Sequence, residues 1–287
     1  MNEFDIINKI TRGIRTDSSV IKGVGDDCAV IKFTNREHLL CATDMIIEGV
    51  HFKKNAAPES IGHKALAVNI SDIAACGGIP KWAVVSVGFP KNIKYGYIDR
   101  VFKGLRRLAG RYDINIVGGD TNSSNKIIVS VTLLGVVKTN HLVLRSTAKD
   151  KDAIVITGAL KSRPDDLTFI PRLKESRKLV KDLKINSMID ISDGFLSDLT
   201  HVLESSNKSA IIYESLIPNI SKRLPASKLL NTGEQFDLLF TIPKSQIKKL
   251  PNHCIVVGEI VDGNKEITLV TREGRRSRVK PLGYRHF

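Results

Sequence analysis

The sequence predicts an α/β fold built from two αβ halves, and three observations carry that expectation. Short runs rich in β-branched residues alternate with segments of helical spacing along most of the chain. Gly, Pro, Asn or Asp bounds these runs, as turns require. A polar stretch, "KTNHLVLRSTAKDKD" (138–152), divides the series into two comparable sets and places a seam between residues 1–142 and 143–287.

In chain order, "HLLCATD" (38–44) reads as a strand. "PESIGHKALAVNISDIAACGG" (58–78) reads as a helix, with Ile61, Ala65, Ile70 and Ile73 near helical spacing, a proline at its start and Gly77-Gly78 at its end. "WAVVSVGF" (82–89) is a strand, "YIDRVFKGLRRLAGRY" (97–112) a helix, and "INIV" (114–117) and "KIIVSVTLLGVV" (126–137) are strands. Beyond the seam, strands are expected at "AIVITG" (153–158), "SAIIYE" (209–214), "FDLLFTI" (236–242) and "CIVVGEI" (254–260), with a helix at "GFLSDLTHVLESS" (194–206).

With 287 residues, 42% of them hydrophobic, the chain can bury one large core or two medium ones, which excludes an extended disordered protein. No apolar run reaches the roughly 20 residues that span a bilayer. "MNEFDIINKI" carries acids where a signal peptide is basic, so a cytoplasmic location and no membrane partner are expected. Cys28, Cys41, Cys76 and Cys254 lack C-x-x-C spacing and read as buried free thiols. The net charge of +14 invites a nucleic-acid reading. Lys and Arg concentrate only at "KSR", "RLKESRKLVKDLK" and "TREGRRSRVK", with 6% aromatic residues and a lone Trp82 inside an apolar strand. Solvated faces and a basic tail are therefore expected, without a specific nucleic-acid partner.

In so basic a chain, many aspartates end apolar runs beside Gly, Ser or Thr: "GVGDDCAV", "CATDMIIEGVHF", "NISDIAACGG", "IVGGDTNSS" and "MIDISDGF". One such aspartate is ordinarily a cap or turn residue. Five stretches together point to shared cations, because half-buried carboxylates without matching Lys or Arg are costly and hard cations such as Mg²⁺ take such oxygen ligands. No P-loop, protein-kinase set, G-x-S-x-G elbow or H-E-x-x-H helix is present. A nucleotide is then expected to be held through metal ions.

"GVGDDCAVI", "ATDMIIEGVHF", "HKALAVNISDIAACGGIPKWAVVSVGFP", "GGDTNSS", "IDISDGFLSDL", "GEQFDLLF" and "GYRHF" run in order over nearly the whole chain. Together they resemble the thiamine-monophosphate kinase family, within the ATP-using superfamily that includes aminoimidazole ribotide synthetase. The resemblance implies an N-terminal αβ domain that dimerises through its strands, a C-terminal αβ domain, and transfer of the ATP γ-phosphate to thiamine monophosphate. It implies Asp27, Thr43, Asp44, Asp72, Asp120, Asp190 and Asp193 as Mg²⁺ ligands. Phe102, Gly119, Asp120, Arg145 and Ser192 are implied to meet ATP, and His51, Glu234 and Tyr284 to meet thiamine monophosphate. Asp44, Asp120 and Arg145 are implied to carry the electrostatics of transfer.

The chain departs from the family pattern at Ala42, where serine is common, at Phe102, where tyrosine is common, and at Gln235, which replaces an acid. The stretch between Gly158 and Asp190 also looks short. No Cys or Ser has a base motif beside it, and the acceptor is already an anionic oxygen, so direct in-line transfer is expected. Alternatives are another member of the superfamily, such as an aminoimidazole ribotide or selenophosphate synthetase, or an inactive basic nucleic-acid-binding protein on the same scaffold. A selenophosphate synthetase wants a reactive Cys in a glycine-rich N-terminal segment, which "MNEFDIINKITRG" lacks.

Overall fold

The computed structural model describes residues 3–162, 167–218 and 225–282. Its first half contains α1 (Glu3–Thr11), β1 (Val20–Lys22), β2 (Ala29–Lys32), β3 (Glu37–Ile47), α2 (Pro58–Ala75), β4 (Ile79–Phe89), α3 (Tyr95–Arg111), β5 (Asn115–Ser123) and β6 (Ile128–Lys138). The six strands form one sheet in the order β1-β2-β3-β6-β4-β5. The second half contains β7 (Asp152–Ile156), α4 (Leu173–Asp182), β8 (Ser187–Asp190), α5 (Phe195–Ser206), β9 (Ser209–Tyr213), α6 (Ala226–Leu230), β10 (Leu238–Pro243), β11 (Ile255–Val261), β12 (Ile267–Val270) and β13 (Arg276–Val279). Its sheet runs β13-β12-β9-β11-β7-β10-β8.

All eight predicted strands and all three predicted helices are present. The basic stretch 276–279, expected as a solvated tail, is instead the exposed edge strand β13, paired with β12. Charged residues suit that position, since they discourage further pairing at an open edge. Cys28 and Cys76 are buried, as expected, whereas Cys41 and Cys254 are only partly so; all four thiols are free. No helix among the described residues is long and apolar enough to cross a membrane.

Alternation along β3, β4 and β6 gives the first sheet two unlike faces. Leu40, Val85, Val129, Val131 and Leu133 point inward and are fully or almost fully buried beneath α2 and α3. The row Met45–Ser130–Ser86–Asp120 crosses the outer face, with Met45 51% exposed. α2 is buried on almost every side, the pattern of a central helix rather than a surface one. Two glycines let α3 lie against it. A Cβ on Gly62 would meet the Val101 carbonyl oxygen at 1.9 Å, and one on Gly104 would meet the Glu59 carbonyl oxygen at 1.9 Å. Gly104→Ala should force the helices apart and destabilise the protein by at least ~1–3 kcal/mol, the cost of overpacking a well-packed core. Thermal unfolding checks this, and an unchanged midpoint would contradict it.

Candidate active site

Helical periodicity puts Lys64, Val68 and Asp72 on one line of α2, at i, i+4 and i+8. All three line a cavity of about 980 Å³ between the two halves. At one end of this cavity, separate elements converge on Asp72. Asp27 comes from the turn before β2, where Gly25 takes a positive φ of 98°. Asp44 comes from the inner face of β3, and Asp190 from the last position of β8. Carboxylate oxygens of Asp27, Asp72 and Asp190 lie within 4.8 Å of one another, and Asp44 shares a hydrogen bond with Asp72. Ser71 Oγ donates to Asp190 Oδ2 at 2.6 Å. Arg145 reaches back across the seam: Nη2 donates to Asp27 Oδ1 at 2.5 Å, and its main-chain N–H donates to Asp26 Oδ2 at 3.2 Å.

Burial and mutual repulsion dominate the electrostatics. Burial, followed by the charge of Asp27, raises Asp190 to about 7 and Asp26 to about 6. Burial, then Asp44, Asp190 and Asp27, raises Asp72 well above the usual carboxylate range. Asp44 is raised as well, by burial first. Burial opposes the charge on Arg145, but Asp27 beside it outweighs this and keeps the guanidinium protonated. Asp27 Oδ2 is buried with no hydrogen-bond partner. An orphaned carboxylate oxygen among raised carboxyls, with all-oxygen donors, fits a hard dication such as Mg²⁺.

Several other predicted residues share this cavity. Ser192 and Asp193 line it beside Asp190, and His51 and Glu234 line it where Lys64 Nζ reaches both, about two turns along α2 from Asp72. His51 Nδ1 accepts the Ile47 N–H at 3.0 Å. Four predicted residues lie elsewhere. Thr43 points to the outer face of β3, where its hydroxyl meets Thr132 Oγ1 at 3.0 Å. Asp120 is exposed on the edge strand β5, three strands from β3, or about 14 Å by strand spacing. Its oxygens accept from the Thr121 N–H at 2.8 Å and from Asn122 Nδ2 at 2.6 Å. Phe102 packs at the margin of the first core. Gly119 serves the sheet: a Cβ there would meet the Val85 carbonyl oxygen at 1.8 Å. Tyr284 lies outside the described residues.

The departures have local explanations. Gln235 is buried; its Oε1 accepts the Lys161 N–H at 2.9 Å, and its Nε2 donates to the Lys161 and Thr232 carbonyl oxygens. It braces the turn instead of facing the cavity. Ala42 is buried on the inner face of β3. Sequence reasoning missed three contributors, Asp26, Ser71 and Lys64. For Lys64, the signal was its α-helical register with Asp72.

Residues 25–137 match the family described as AIR synthase related protein, N-terminal domain. A thiamine-monophosphate kinase of Buchnera aphidicola (subspecies Schizaphis graminum) is 34% identical over all of this chain and 99% of its own length. The Bacillus subtilis thiamine-monophosphate kinase is 32% identical over the full length of both. Among solved structures, AaThiL complexed with AMPPCP and TMP superimposes with a TM-score of 0.85 at 29% identity, covering 100% of this chain and 97% of the other. With full-length relatives above 30% identity, the chain belongs to the thiamine-monophosphate kinase family.

Proposed function

We infer that this chain transfers the γ-phosphate of ATP to thiamine monophosphate, forming thiamine diphosphate and ADP. The observation that carries the reading is one continuous cavity with clustered carboxylates at one end and a partly aromatic end for an organic acceptor. At that second end Phe236 stacks on Phe169, with ring centroids 3.9 Å apart and planes 7° apart. The relatives named thiamine-monophosphate kinase and the AaThiL complex with AMPPCP, an ATP analogue, and TMP support the same chemistry. Incubation with ATP, Mg²⁺ and thiamine monophosphate, with products separated by chromatography, tests it. Thiamine diphosphate should appear in step with ADP; ADP without thiamine diphosphate would overturn the reading.

Asp27, Asp44, Asp72, Asp190 and Asp193 are the residues proposed to hold Mg²⁺. Bound there, the ion supplies screening of phosphate charge and a fixed arrangement of oxygens. The chain's own residues place the two anionic reactants. Arg145, held protonated, offsets negative charge on the Asp27 side. The acceptor oxygen already carries charge, so no base has to remove a proton from it. Its bond to the γ-phosphorus forms as the bond from that phosphorus to the β-phosphate bridge oxygen breaks, and ADP leaves. Orientation in a preformed site is the main source of rate.

We also propose 1–142 and 143–287 as the two domains, and a homodimer formed through the first sheet. The outer face is the support for the dimer. Met45 is 51% exposed and Val84 38%, and β5 presents an open edge, features that pairing with a second copy would cover. Thr43 and Asp120 lie on that face, so in the dimer they act where the two copies meet. Sedimentation at micromolar concentration should show a dimer, and Met45→Asp should shift it toward monomer. A wild-type monomer would contradict the proposal.

A further inference from the structure

Lys64 is 1% exposed. A lysine is almost never buried so completely without a charged partner, because the ammonium loses its hydration. Here the partners come from opposite sides of the cavity. Nζ donates to the His51 carbonyl oxygen at 3.0 Å, in the segment after β3, and to Glu234 Oε1 at 2.6 Å, 170 positions away in the second half.

Glu234 sits in a constrained turn. It has a φ of +57°, and Phe236 has a φ of +49°. Side chains other than glycine rarely adopt this region, and it recurs at ligand clamps where the surroundings hold it in place. The main chain is pinned as well: the Glu234 N–H donates to the Ser192 carbonyl oxygen at 2.6 Å, and the Phe236 N–H to that of Ile191 at 2.8 Å. The turn is thereby tied to the strand end that carries Asp190. The Glu234 side chain stays 36% exposed and lines the cavity.

We propose that Lys64 is a positioning residue for the acceptor: it holds the Glu234 carboxylate turned into the cavity as a hydrogen-bond acceptor for the amino-bearing ring of thiamine monophosphate. The inference rests on the kinase reading above. A carboxylate bonded to an ammonium has oxygens that accept hydrogen bonds and donate none. The pair therefore favours a ligand that brings an N–H donor to the Glu234 carboxylate while its phosphate reaches the clustered aspartates.

The test is steady-state kinetics on the full-length protein with each substrate varied in turn. Lys64→Met should raise the KM for thiamine monophosphate by roughly 10- to 100-fold, the scale of a small misplacement, with little change in the KM for ATP. Glu234→Gln should do the same. Because Lys64 acts through Glu234, the double variant should be no worse than the poorer single one. Lys64→Gln keeps a donor without the charge and should be intermediate; it also serves if Lys64→Met does not fold. Equal rises for both substrates, an additive double variant, or a loss of kcat at unchanged acceptor KM would overturn the positioning role. Failure of the wild-type protein to phosphorylate thiamine monophosphate would instead overturn the kinase reading, and this assignment with it.

Discussion

Asp72→Asn should leave a folded protein whose phosphoryl transfer is reduced by on the order of 10³-fold, the scale of losing one preorganised electrostatic group. Without metal, the same variant should melt above the wild type. Asp72 faces Asp44, Asp190 and Asp27 at close range, so removing its charge relieves repulsion that the fold bears only for the site's function. The melting temperature should rise by about 2–4 °C for each kcal/mol relieved. Asp44→Asn should behave alike. Asp120→Asn provides the contrast: its carboxylate is exposed and lies outside the cluster, so metal-free stability should change little, and transfer should fall only where the second copy of the proposed dimer brings Asp120 to the site. Activity assays beside metal-free thermal melts decide these cases. A destabilised, fully active Asp72→Asn protein would show that Asp72 serves the core.

The stability of the metal-free protein should fall as pH rises from about 4 to 8. Asp26 and Asp190 have folded values of about 6 and about 7 against an ordinary 3.8, and Asp44, Asp72 and Asp198 are raised as well. Together these native carboxyls bind more protons than in the unfolded chain. They outweigh His201, which burial lowers to about 4 and which works the other way below its ordinary 6.5. The contribution of Asp26 and Asp190 is complete below 3.8 and is lost as pH rises through 6 and then 7. Mg²⁺ should reverse the trend. It competes with those protons, so its binding should release them and tighten as pH rises. Melting curves at pH 5, 6, 7 and 8 with and without Mg²⁺ test this. A metal-free melting temperature that climbs between pH 5 and 8 would contradict the assignment of raised carboxyls.

Much of this architecture is legible in the sequence, because long strands and the central helix obey their periods. β6 alternates cleanly and the middles of β3 and β4 do so too, and α2 runs from Pro58 to a stop at Gly77-Gly78. β5 is only half legible. "INIV" reads as a strand, but the ladder continues through Gly118, Gly119, Asp120 and Asn122 to Ser123, residue types that disfavour strands. Parallel pairing with β4 overrides propensity there, and Gly119 allows the close approach to Val85. The short β1, β2 and β8, and β13 in its basic surroundings, carry too little pattern to stand out.

The cluster itself follows from placing aspartates at the ends of apolar runs, since strand ends and one helix face meet where the halves join. What the sequence cannot show is which sheet face a strand residue takes relative to the site. Thr43 and Asp44 are adjacent, yet alternation sends them to opposite faces. Asp120 lies on the outer face with Thr43. Lys64 is hidden differently: in a basic chain a lysine reads as surface, and only its line with Val68 and Asp72 marks it as part of the cavity.

The central claim is that the buried carboxylates exist to hold divalent cations against phosphate. Electron paramagnetic resonance of Mn²⁺, a spectroscopic substitute for Mg²⁺, titrated into the wild-type, Asp44→Asn and Asp72→Asn proteins with a non-hydrolysable ATP analogue, measures this directly. The account predicts tight, nucleotide-dependent Mn²⁺ binding to the wild type and loss of bound ion in both variants. The same number of ions bound with the same affinity by all three proteins would contradict it.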